Sequence, residues 1–369
     1  MRAALFGLAA LFLCGCASPA TETDLSSTYP VAGEVIETYA RPGAAMRDAE
    51  GRDTQRVTIW YPAGEDAVAT PRLIGSEPTP FFISGEAADG AAFAPEAGRL
   101  PLVVVSHGFG GSARQLAWLG TALAREGYVV AAVDHPGNNG FDDRTPEGAL
   151  LYWERSDDLR HAIDAVLAAP EWGPRIDAER IGAIGYSMGG ASVLIQLGAR
   201  PDRAAFEALC AASADSSLCA PTISDGDFGT VTRAEVLNGS DAIRASTATE
   251  FEARRDTRVD AALLIAPALG PILSREDLTG VAAPILILQG DRDTTTPAAE
   301  NAQVFAASLP NDRLVLLEGV EHNAFLGLCG MAARVRYAPL CGGSVPREET
   351  HRRAIEEAVQ FFAEALSTP

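Results

Sequence analysis

The chain has 369 residues, of which 47% are hydrophobic and 21% are charged, and its formal net charge is -20. This length and apolar content predict one large core with insertions and exclude a disordered chain. All 29 basic residues are Arg. The absence of Lys excludes a Walker A phosphate loop, a pyridoxal Schiff base and a Ser-Lys dyad. The acidic surplus argues against a nucleic-acid partner, because such binding depends on clustered basic charge.

The first residues are typical of an export signal. A short basic start precedes an apolar run over 3–13. As a helix this run rises only about 16 Å, roughly half of the hydrocarbon thickness of a bilayer. The run closes on a Leu-Cys-Gly-Cys sequence ending at Cys16, which resembles the bacterial lipobox. This resemblance implies lipidation of Cys16, with an ordinary secretory signal cleaved nearby as the alternative. We predict a signal peptide over 1–15, a flexible tether over 16–30 and an exported, membrane-anchored lipoprotein that faces the periplasm or the cell surface.

The cysteines beyond the signal form two pairs that are close in sequence. Eight residues separate Cys210 from Cys219, and eleven separate Cys329 from Cys341. Pairing is the default in an oxidising compartment, and of the three connectivities that four cysteines allow, local pairing is the simplest. The spacing lacks the close ligand pairs and nearby His of a structural zinc site. The sequence therefore predicts the disulfides Cys210–Cys219 and Cys329–Cys341.

Strand and helix patterns follow one another along residues 31–369, which we predict to form one domain. The segment 55–61 alternates apolar and polar side chains, which is typical of an antiparallel strand near a sheet edge. Continuous apolar runs, which indicate strands covered on both faces, follow over 102–106, 128–133, 181–184, 261–265, 285–288 and 314–317. Amphipathic helices are predicted over 115–125, 158–168, 189–197, 298–307 and the segment with Ile355, Val359, Phe362 and Leu366. This alternation predicts an α/β fold with a mostly parallel sheet flanked by helices.

One segment interrupts the alternation. Residues 201–257 separate the helix that starts at 189 from the strand that starts at 261, where a short connection is usual. A long insertion between elements of a compact domain is typical of a lid or a functional loop. We therefore predict a small cap insertion over 201–257, and we expect it to shape the binding pocket together with the loop over 137–152.

The clearest chemical motif is Gly185-Tyr186-Ser187-Met188-Gly189. It follows a predicted strand and opens a predicted helix, which is the context that a nucleophile elbow requires. The glycines permit the tight turn, because a Cβ at either position would clash with the backbone. We therefore predict Ser187 as a nucleophile, with a Gly-rich structural turn as the alternative.

A second motif, Ser-His-Gly-Phe-Gly-Gly over 106–111, lies at the end of the strand that starts at 102. Its glycines allow backbone N–H groups to approach a developing oxyanion. We predict the N–H groups of Phe109 and Met188 as the two oxyanion donors. The imidazole of His107 is predicted to be a structural hydrogen-bonding group that supports this loop.

The general base is predicted by elimination, because the chain has only five His. The four that are set aside are His107 in the oxyanion loop, His135 ahead of the nucleophile, His161 within a helix and His351 at the start of the last helix. His322 remains, and it lies in a loop that follows the strand over 314–317. That loop is at the same sheet edge as Ser187, so His322 is the predicted base.

The acid that orients His322 is predicted in the loop after the strand over 285–288. Asp291 and Asp293 are two residues apart, so periodicity does not choose between them. Asp293 lies further out on the loop, four residues before Pro297, where its side chain can turn towards the His322 loop. We therefore predict Asp293 as the acid. Ser187, Asp293 and His322 then follow the chain order used by α/β-hydrolases.

These motifs support a specific resemblance. From about residue 50 onwards the chain resembles serine-dependent α/β-hydrolases of the predicted dienelactone hydrolase group, close to the platelet-activating-factor acetylhydrolases. The matching segments are Arg-Val-Thr-Ile-Trp-Tyr-Pro over 56–62, the motif over 106–111, Asp-His-Pro-Gly-Asn over 134–138 and Gly-Asp-Arg-Asp over 290–293. The resemblance implies an α/β-hydrolase fold, Asp293 as the catalytic acid, and hydrolysis of a short-acyl ester through an acyl-enzyme without metal or cofactor. Dienelactone hydrolases carry Cys at the elbow, and Ser187 in its place argues against dienelactone as the substrate.

The resulting prediction is a serine carboxylic-ester hydrolase that acts on a small-molecule or lipid ester. A phospholipid deacetylase, a polyester hydrolase and a peptidase are the enzymatic alternatives, and a non-catalytic surface lipoprotein with the same fold is the alternative from another class. The Asn and Asp residues of 138–143 are predicted to form a solvated turn rather than a calcium site. Arg155 and Asp158, at positions i and i+3 near a helix start, are predicted to form a structural ion pair.

Overall fold

The computed structural model describes residues 27–213, 218–273, 278 and 280–367. The predicted signal peptide, the predicted lipidation site Cys16 and most of the predicted tether lie outside these residues. In the part of the chain that is described, no helix combines the length and the hydropathy needed to cross a bilayer.

A central β-sheet organises the domain. Its strands are β1 (Val31–Ala40), β2 (Thr54–Ala63), β3 (Thr70–Ile74), β4 (Phe82–Asp89), β5 (Leu100–Ser106), β6 (Val129–Asp134), β7 (Ile176–Tyr186), β10 (Val259–Ile265), β11 (Ile285–Gly290), β12 (Asp312–Leu317) and β13 (Leu328–Cys329), and a separate hairpin contains β8 (Thr222–Asp225) and β9 (Gly229–Thr232). The strand order is β12-β11-β10-β7-β5-β6-β2-β1-β4-β13, and β3 pairs with β4. The run from β6 to β12 is parallel throughout, so the predicted mostly parallel sheet is confirmed.

The parallel strands form because their side chains are apolar on both faces. Residues 102–104 of β5 and all of 261–265 in β10 are fully buried, as expected for strands covered by helices on each side. Parallel alignment brings the carboxyl ends of β5, β7, β11 and β12 to one edge of the sheet. The loops that follow these four strands carry the candidate site.

The strand over 55–61 is antiparallel as predicted, but its predicted position near a sheet edge is wrong. It is the centre of β2, which pairs with β6 on one side and with all ten residues of β1 on the other. Strands β1, β3 and β4 extend the sheet beyond it, so β2 lies inside the sheet and is paired on both sides. Thr58, on the face predicted to be polar, is accordingly only 1% exposed.

Helices cover both faces of the sheet. They are α1 (Ala117–Arg125), α2 (Pro146–Leu150), α3 (Glu154–Ala168), α4 (Met188–Gln196), α5 (Arg203–Ala212), α6 (Arg233–Leu237), α7 (Asp241–Ala248), α8 (Ala302–Ala306), α9 (Met331–Arg336), α10 (Ala338–Cys341) and α11 (Arg347–Ala365). One face packs against α3 and α4 and the other against α1 and α11. The helix expected over 298–307 is shorter, because turns occupy 298–301 and the helix itself begins at Ala302.

The segment 201–257 contains α5, the β8–β9 hairpin, α6 and α7. It attaches to the start of α3 through two buried hydrogen bonds, from Tyr152 to Glu250 and from the Trp153 indole N–H to Ser246. A disulfide joins Cys210 to Cys219, and a second joins Cys329 to Cys341. The structure therefore contains both predicted pairs.

Candidate active site

Ser187 occupies a strained turn between β7 and α4. Its φ is 55° and its ψ is -119°, a conformation that non-glycine residues adopt only where the surroundings enforce it. The flanking glycines show why it is enforced. A Cβ on Gly185 would lie 2.2 Å from the carbonyl oxygen of Gly189, and a Cβ on Gly189 would lie 2.1 Å from that of Ser106. The turn therefore requires glycine at both positions of the motif, because a side chain fits at neither. It places Ser187 between β7 and α4.

His322 joins Ser187 to Asp293. Its Nε2 lies 3.1 Å from the Ser187 hydroxyl, and its Nδ1 lies 2.7 Å from Asp293 Oδ2. An Nδ1–H that donates to the carboxylate leaves Nε2 free to accept the Ser187 proton. His322 is only 7% exposed and Asp293 5%. The structure thus brings together the three side chains that the sequence singled out, in a geometry suited to nucleophile activation.

The environment of Asp293 keeps its carboxylate ionised. Oδ1 accepts hydrogen bonds of 2.8 Å from the backbone N–H groups of Thr295 and Thr296, and Oδ2 accepts from the Thr296 hydroxyl and the Gln289 amide. Burial alone would raise the pKa of Asp293, but the hydrogen bonds from His322 and Thr296 outweigh burial and lower it. The sequence did not identify Thr296 and Gln289 as hydrogen-bond partners of the acid, since neither carries a motif for that role.

Asp291 lies in a different environment. Its side chain is exposed, and its Oδ1 accepts a hydrogen bond from the Gly319 N–H. This hydrogen bond stabilises the turn between β12 and His322, whereas Asp293 contacts the imidazole itself. The structure separates two carboxylates that periodicity left equivalent.

The two amides predicted as oxyanion donors flank the Ser187 turn. Met188 is the first residue of α4, where an N–H has no partner within the helix. Phe109 lies in the loop after β5, which passes close to the nucleophile, since a Cβ on Gly108 would lie 3.3 Å from that of Ser187. The backbone hydrogen bonds found in the described residues use neither amide. Both remain available to a ligand at Ser187.

A cleft of 340 Å³ opens at these groups. The residues that line it are Phe82, Gly108, Phe109, Gly110, Gly111, Gln115, Tyr186, Ser187, Thr295, His322, Asn323, Leu326 and Leu340. None of them is an Asp, Glu or Arg, although the whole chain carries a net charge of -20. The cleft therefore offers apolar and neutral polar contacts to whatever binds beside Ser187.

The expected contribution of the cap to this cleft is not found. No residue of the described part of 201–257, and none of the loop over 137–152, lines it. Instead the wall includes Phe82 from β4, Leu326 and Leu340. The disulfide Cys329–Cys341 attaches the segment that contains Leu340 to β13. The insertion packs against α2 and α3 because its buried polar contacts are made there.

The remaining candidates from the sequence have structural partners. The ring of His107 donates from Nδ1 to the Gly108 carbonyl and accepts from the His135 N–H, as its predicted structural role requires. Burial, followed by the charge of Arg155, lowers the pKa of both imidazoles well below the usual range, so they are neutral. In the polar loop, the Asn139 side chain accepts from the backbone N–H groups of 141 and 142, which is a turn contact. Asn138 and Asn139 are buried, however, so the prediction that this turn is solvated is wrong for both.

The predicted ion pair between Arg155 and Asp158 is wrong. Asp158 bonds to Arg41 at 2.8 Å through one carboxylate oxygen and to His135 at 2.8 Å through the other. The guanidinium of Arg155 donates instead to the His107 carbonyl in the oxyanion loop, to Asn138 and to Ser192 in α4. Spacing along one helix failed here because both side chains are buried and take their partners from other elements.

Comparison with known proteins supports the assignment of the fold. The model of the alpha/beta hydrolase family matches residues 102–333. The chain belongs to the alpha/beta hydrolase family. A ferulic acid esterase structure from Streptomyces cinnamoneus aligns with this α/β-hydrolase at a TM-score of 0.59 and 23% identity, over 92% of this chain and 93% of that one. This likeness confirms the α/β-hydrolase fold.

Curated relatives match shorter stretches of this α/β-hydrolase. A cutinase of Thermobifida alba is 35% identical over 102 residues, which cover 27% of this chain and 31% of the relative. A cutinase of Thermobifida fusca is 30% identical over 179 residues, covering 43% and 53%. A bis(hydroxyethyl) terephthalate hydrolase of Streptomyces coelicolor is 32% identical over 136 residues, covering 35% and 41%. The chain thus spans from about a third to about half of the length of these relatives.

Proposed function

We propose that this α/β-hydrolase is a serine carboxylic-ester hydrolase. The observation that carries the proposal is the continuous chain of contacts from Ser187 through His322 to Asp293, at 3.1 Å and 2.7 Å. The relatives named as cutinases and as a terephthalate ester hydrolase support the same reaction class. A non-catalytic binding protein has no need of a strained serine held against the His322 imidazole.

The first half of the reaction forms an acyl-enzyme. The Ser187 oxygen attacks the ester carbonyl carbon while His322 Nε2 takes the hydroxyl proton. The carbonyl oxygen becomes an oxyanion that accepts hydrogen bonds from the N–H groups of Phe109 and Met188. As the carbon–oxygen bond to the alcohol breaks, His322 gives its proton to the leaving oxygen. Asp293 holds the imidazole in the required tautomer and stabilises its charged form.

The second half restores the enzyme. A water molecule loses a proton to His322 Nε2 and its oxygen attacks the acyl carbon, again with the oxyanion on the two amides. The bond to the Ser187 oxygen breaks, that oxygen recovers the proton from His322, and the carboxylic acid leaves. Each step uses only side chains and amides of this chain.

The cleft favours an uncharged ester. Its lining is neutral and partly aromatic, with Phe82 and Phe109 on the walls. Placing a charged group there costs hydration free energy that no oppositely charged side chain returns. We therefore infer that the preferred substrates are esters with a short, uncharged acyl group. A phospholipid deacetylase, as in the group close to the platelet-activating-factor acetylhydrolases, and a polyester hydrolase are narrower forms of the same activity.

The proposal is tested with p-nitrophenyl esters of increasing acyl length, measured beside an acetylated phospholipid, a terephthalate diester and an anilide. We expect kcat/KM to be highest for short neutral acyl groups and the anilide to be cleaved much more slowly. An ester with a free carboxylate on the acyl group serves as the matched charged control and is expected to be poor. Absence of turnover on every ester, with Ser187→Ala as the blank, would overturn the proposal.

The N-terminal sequence supports a location for this activity. We propose that the protein is exported and anchored to a membrane through lipid on Cys16, because a short apolar run ends at a lipobox-like sequence. The tether over 16–30 then separates the domain from the membrane surface.

A further inference from the structure

The two proposed oxyanion donors belong to different segments of the chain. Phe109 lies in the loop after β5, and Met188 lies at the start of α4, 79 positions later. An oxyanion hole requires both N–H groups at about 3 Å from the same point. Something must therefore hold the loop and the helix in a fixed relation, and a shift of about 1 Å can cost a factor of about 100 in rate.

The guanidinium of Arg155 lies between these two segments. It is 1% exposed. Nη2 donates to the carbonyl oxygen of His107, in the loop that carries Phe109, and, at 3.4 Å, to the hydroxyl of Ser106 at the end of β5. Nε donates to the Ser192 hydroxyl at 3.2 Å, which lies one turn into α4. One planar group thus binds both segments directly.

The contacts of Arg155 lie on both sides of the Phe109 amide and reach Met188 through Ser192. In the loop, Nη1 donates at 2.9 Å to Asn138 Oδ1, which also accepts the Gly110 N–H at 3.0 Å. Arg155 therefore fixes the backbone before Phe109, at the 107 carbonyl, and after it, through Asn138. In the helix, the Ser192 hydroxyl donates to the Met188 carbonyl at 3.1 Å. The Met188 N–H, the second oxyanion donor, thus belongs to the residue whose carbonyl accepts this hydrogen bond.

The charge of Arg155 is not used to form an ion pair. The nearby carboxylate of Asp158 bonds to Arg41 and His135, and every acceptor of Arg155 is a neutral oxygen. Burial lowers the pKa of Arg155 to about 9, with Asp158 opposing the shift, so the guanidinium is charged at neutral pH. A buried cation held by neutral acceptors is a poor source of stability. A rigid fork of five N–H donors is, however, well suited to fixing three elements at once.

We propose that Arg155 is a positioning residue that sets the spacing of the Phe109 and Met188 amides and thereby the strength of the oxyanion hole. This inference rests on the proposed ester hydrolysis. In this role Arg155 does not contact the substrate.

The test compares Arg155→Lys with Arg41→Met. Lys keeps the charge but lacks the fork, so it cannot reach the loop, Asn138 and Ser192 together. Arg41 serves as a control, because it is equally buried in the same cluster but, among the described residues, its guanidinium donates only to Asp158 and the Met46 carbonyl. We expect Arg155→Lys to lower kcat about 100-fold with KM changed less than about threefold, since the lost contacts act in the transition state. Arg41→Met is expected to lower thermal stability while kcat of the folded enzyme changes less than about threefold.

A second readout distinguishes positioning from general loosening. An aryl trifluoromethyl ketone forms a tetrahedral oxyanion on the serine, so its affinity reports the hole directly. We expect Arg155→Lys to weaken this inhibitor by the same factor as kcat/KM. The milder variant Ser192→Ala, which removes only the α4 contact, is expected to show a several-fold loss in both measurements. Equal losses of kcat in Arg155→Lys and Arg41→Met, or unchanged inhibitor affinity in Arg155→Lys, would overturn the proposal.

Hydrogen–deuterium exchange keeps this test separate from the proposed function. If the wild type hydrolyses no ester, the proposed function fails, and exchange of peptides over 107–111 and 188–192 still measures what Arg155 holds. Faster exchange in both peptides for Arg155→Lys, but not for Arg41→Met, supports the positioning role. Unchanged exchange in these peptides would overturn it.

Discussion

Replacing Asp293 by Asn tests how much catalysis depends on the orientation and tautomer of His322. Asn is nearly the same size, and its amide oxygen can still accept the N–H groups of Thr295 and Thr296. Its amide nitrogen then faces His322 Nδ1, where Asp293 Oδ2 now lies at 2.7 Å. An amide N–H donates, so Nδ1 becomes the acceptor and the ring proton moves to Nε2. In that tautomer Nε2 cannot accept the Ser187 proton.

The size of the effect follows from this tautomer change. Loss of the orienting acid in such a triad lowers kcat about 10⁴-fold, which corresponds to about 5.4 kcal/mol on the activation barrier. Asp291→Asn is the matched control, because it makes the same chemical change two residues away in an exposed side chain that contacts only the Gly319 N–H. We expect its kcat to stay within about threefold of wild type, since surface changes of this kind alter free energies by only ~0.5 kcal/mol.

Steady-state hydrolysis of p-nitrophenyl acetate by both variants provides the measurement. Thermal unfolding curves recorded on the same samples confirm that equal amounts of folded enzyme are compared. Comparable losses of kcat in the two variants, or a larger loss in Asp291→Asn, would show that the wrong carboxylate has been assigned to His322.

Three further predictions concern anchoring, the turn and pH. Cys16→Ser is expected to release the protein from membranes after export, because lipid chains would be its strong attachment; persistence in the membrane fraction would contradict this. Gly189→Ala places a Cβ 2.1 Å from the Ser106 carbonyl, so activity and melting temperature should both fall, and an unchanged melting temperature would refute the steric argument. Burial raises the pKa of Asp134 to about 6, so its stabilising contribution is complete below about pH 4 and lost as pH rises past 6. In urea unfolding, the free energy of unfolding of the wild type relative to Asp134→Asn should therefore decrease by on the order of 3 kcal/mol between pH 4 and 7. A difference between the two proteins that stays constant over this range would contradict the raised pKa of Asp134.

The residues of the candidate site were predictable where the chemistry is local. The glycines around Ser187 respond to clashes within one turn, so the motif alone contains the signal. His322 was found because the chain has only five His and the parallel sheet directs the relevant loops to one edge. The choice of Asp293 over Asp291 depended on how far along the loop each lies, and the contact with His322 agrees with it.

Long-range polar partners were not predictable from the sequence. Arg155 bonds to Asn138, His107 and Ser192, which are 17, 48 and 37 positions away, whereas helical spacing pointed only to Asp158. The position of β2 inside the sheet depends on β1, β3 and β4, whose short or mixed patterns gave no clear strand signal. The cleft wall likewise depends on Leu340, which the disulfide Cys329–Cys341 and the fold of the last loops bring to the site.

The central claim is that Ser187 is a nucleophile activated by His322, and covalent labelling tests it most directly. The folded protein is treated with a fluorophosphonate at neutral pH, its intact mass is measured, and the adduct is located by peptide mapping. We expect one adduct per chain, on Ser187, formed rapidly in the wild type and absent in Ser187→Ala. The same mass shift on a different residue, or no adduct on a folded wild-type protein, would contradict the account.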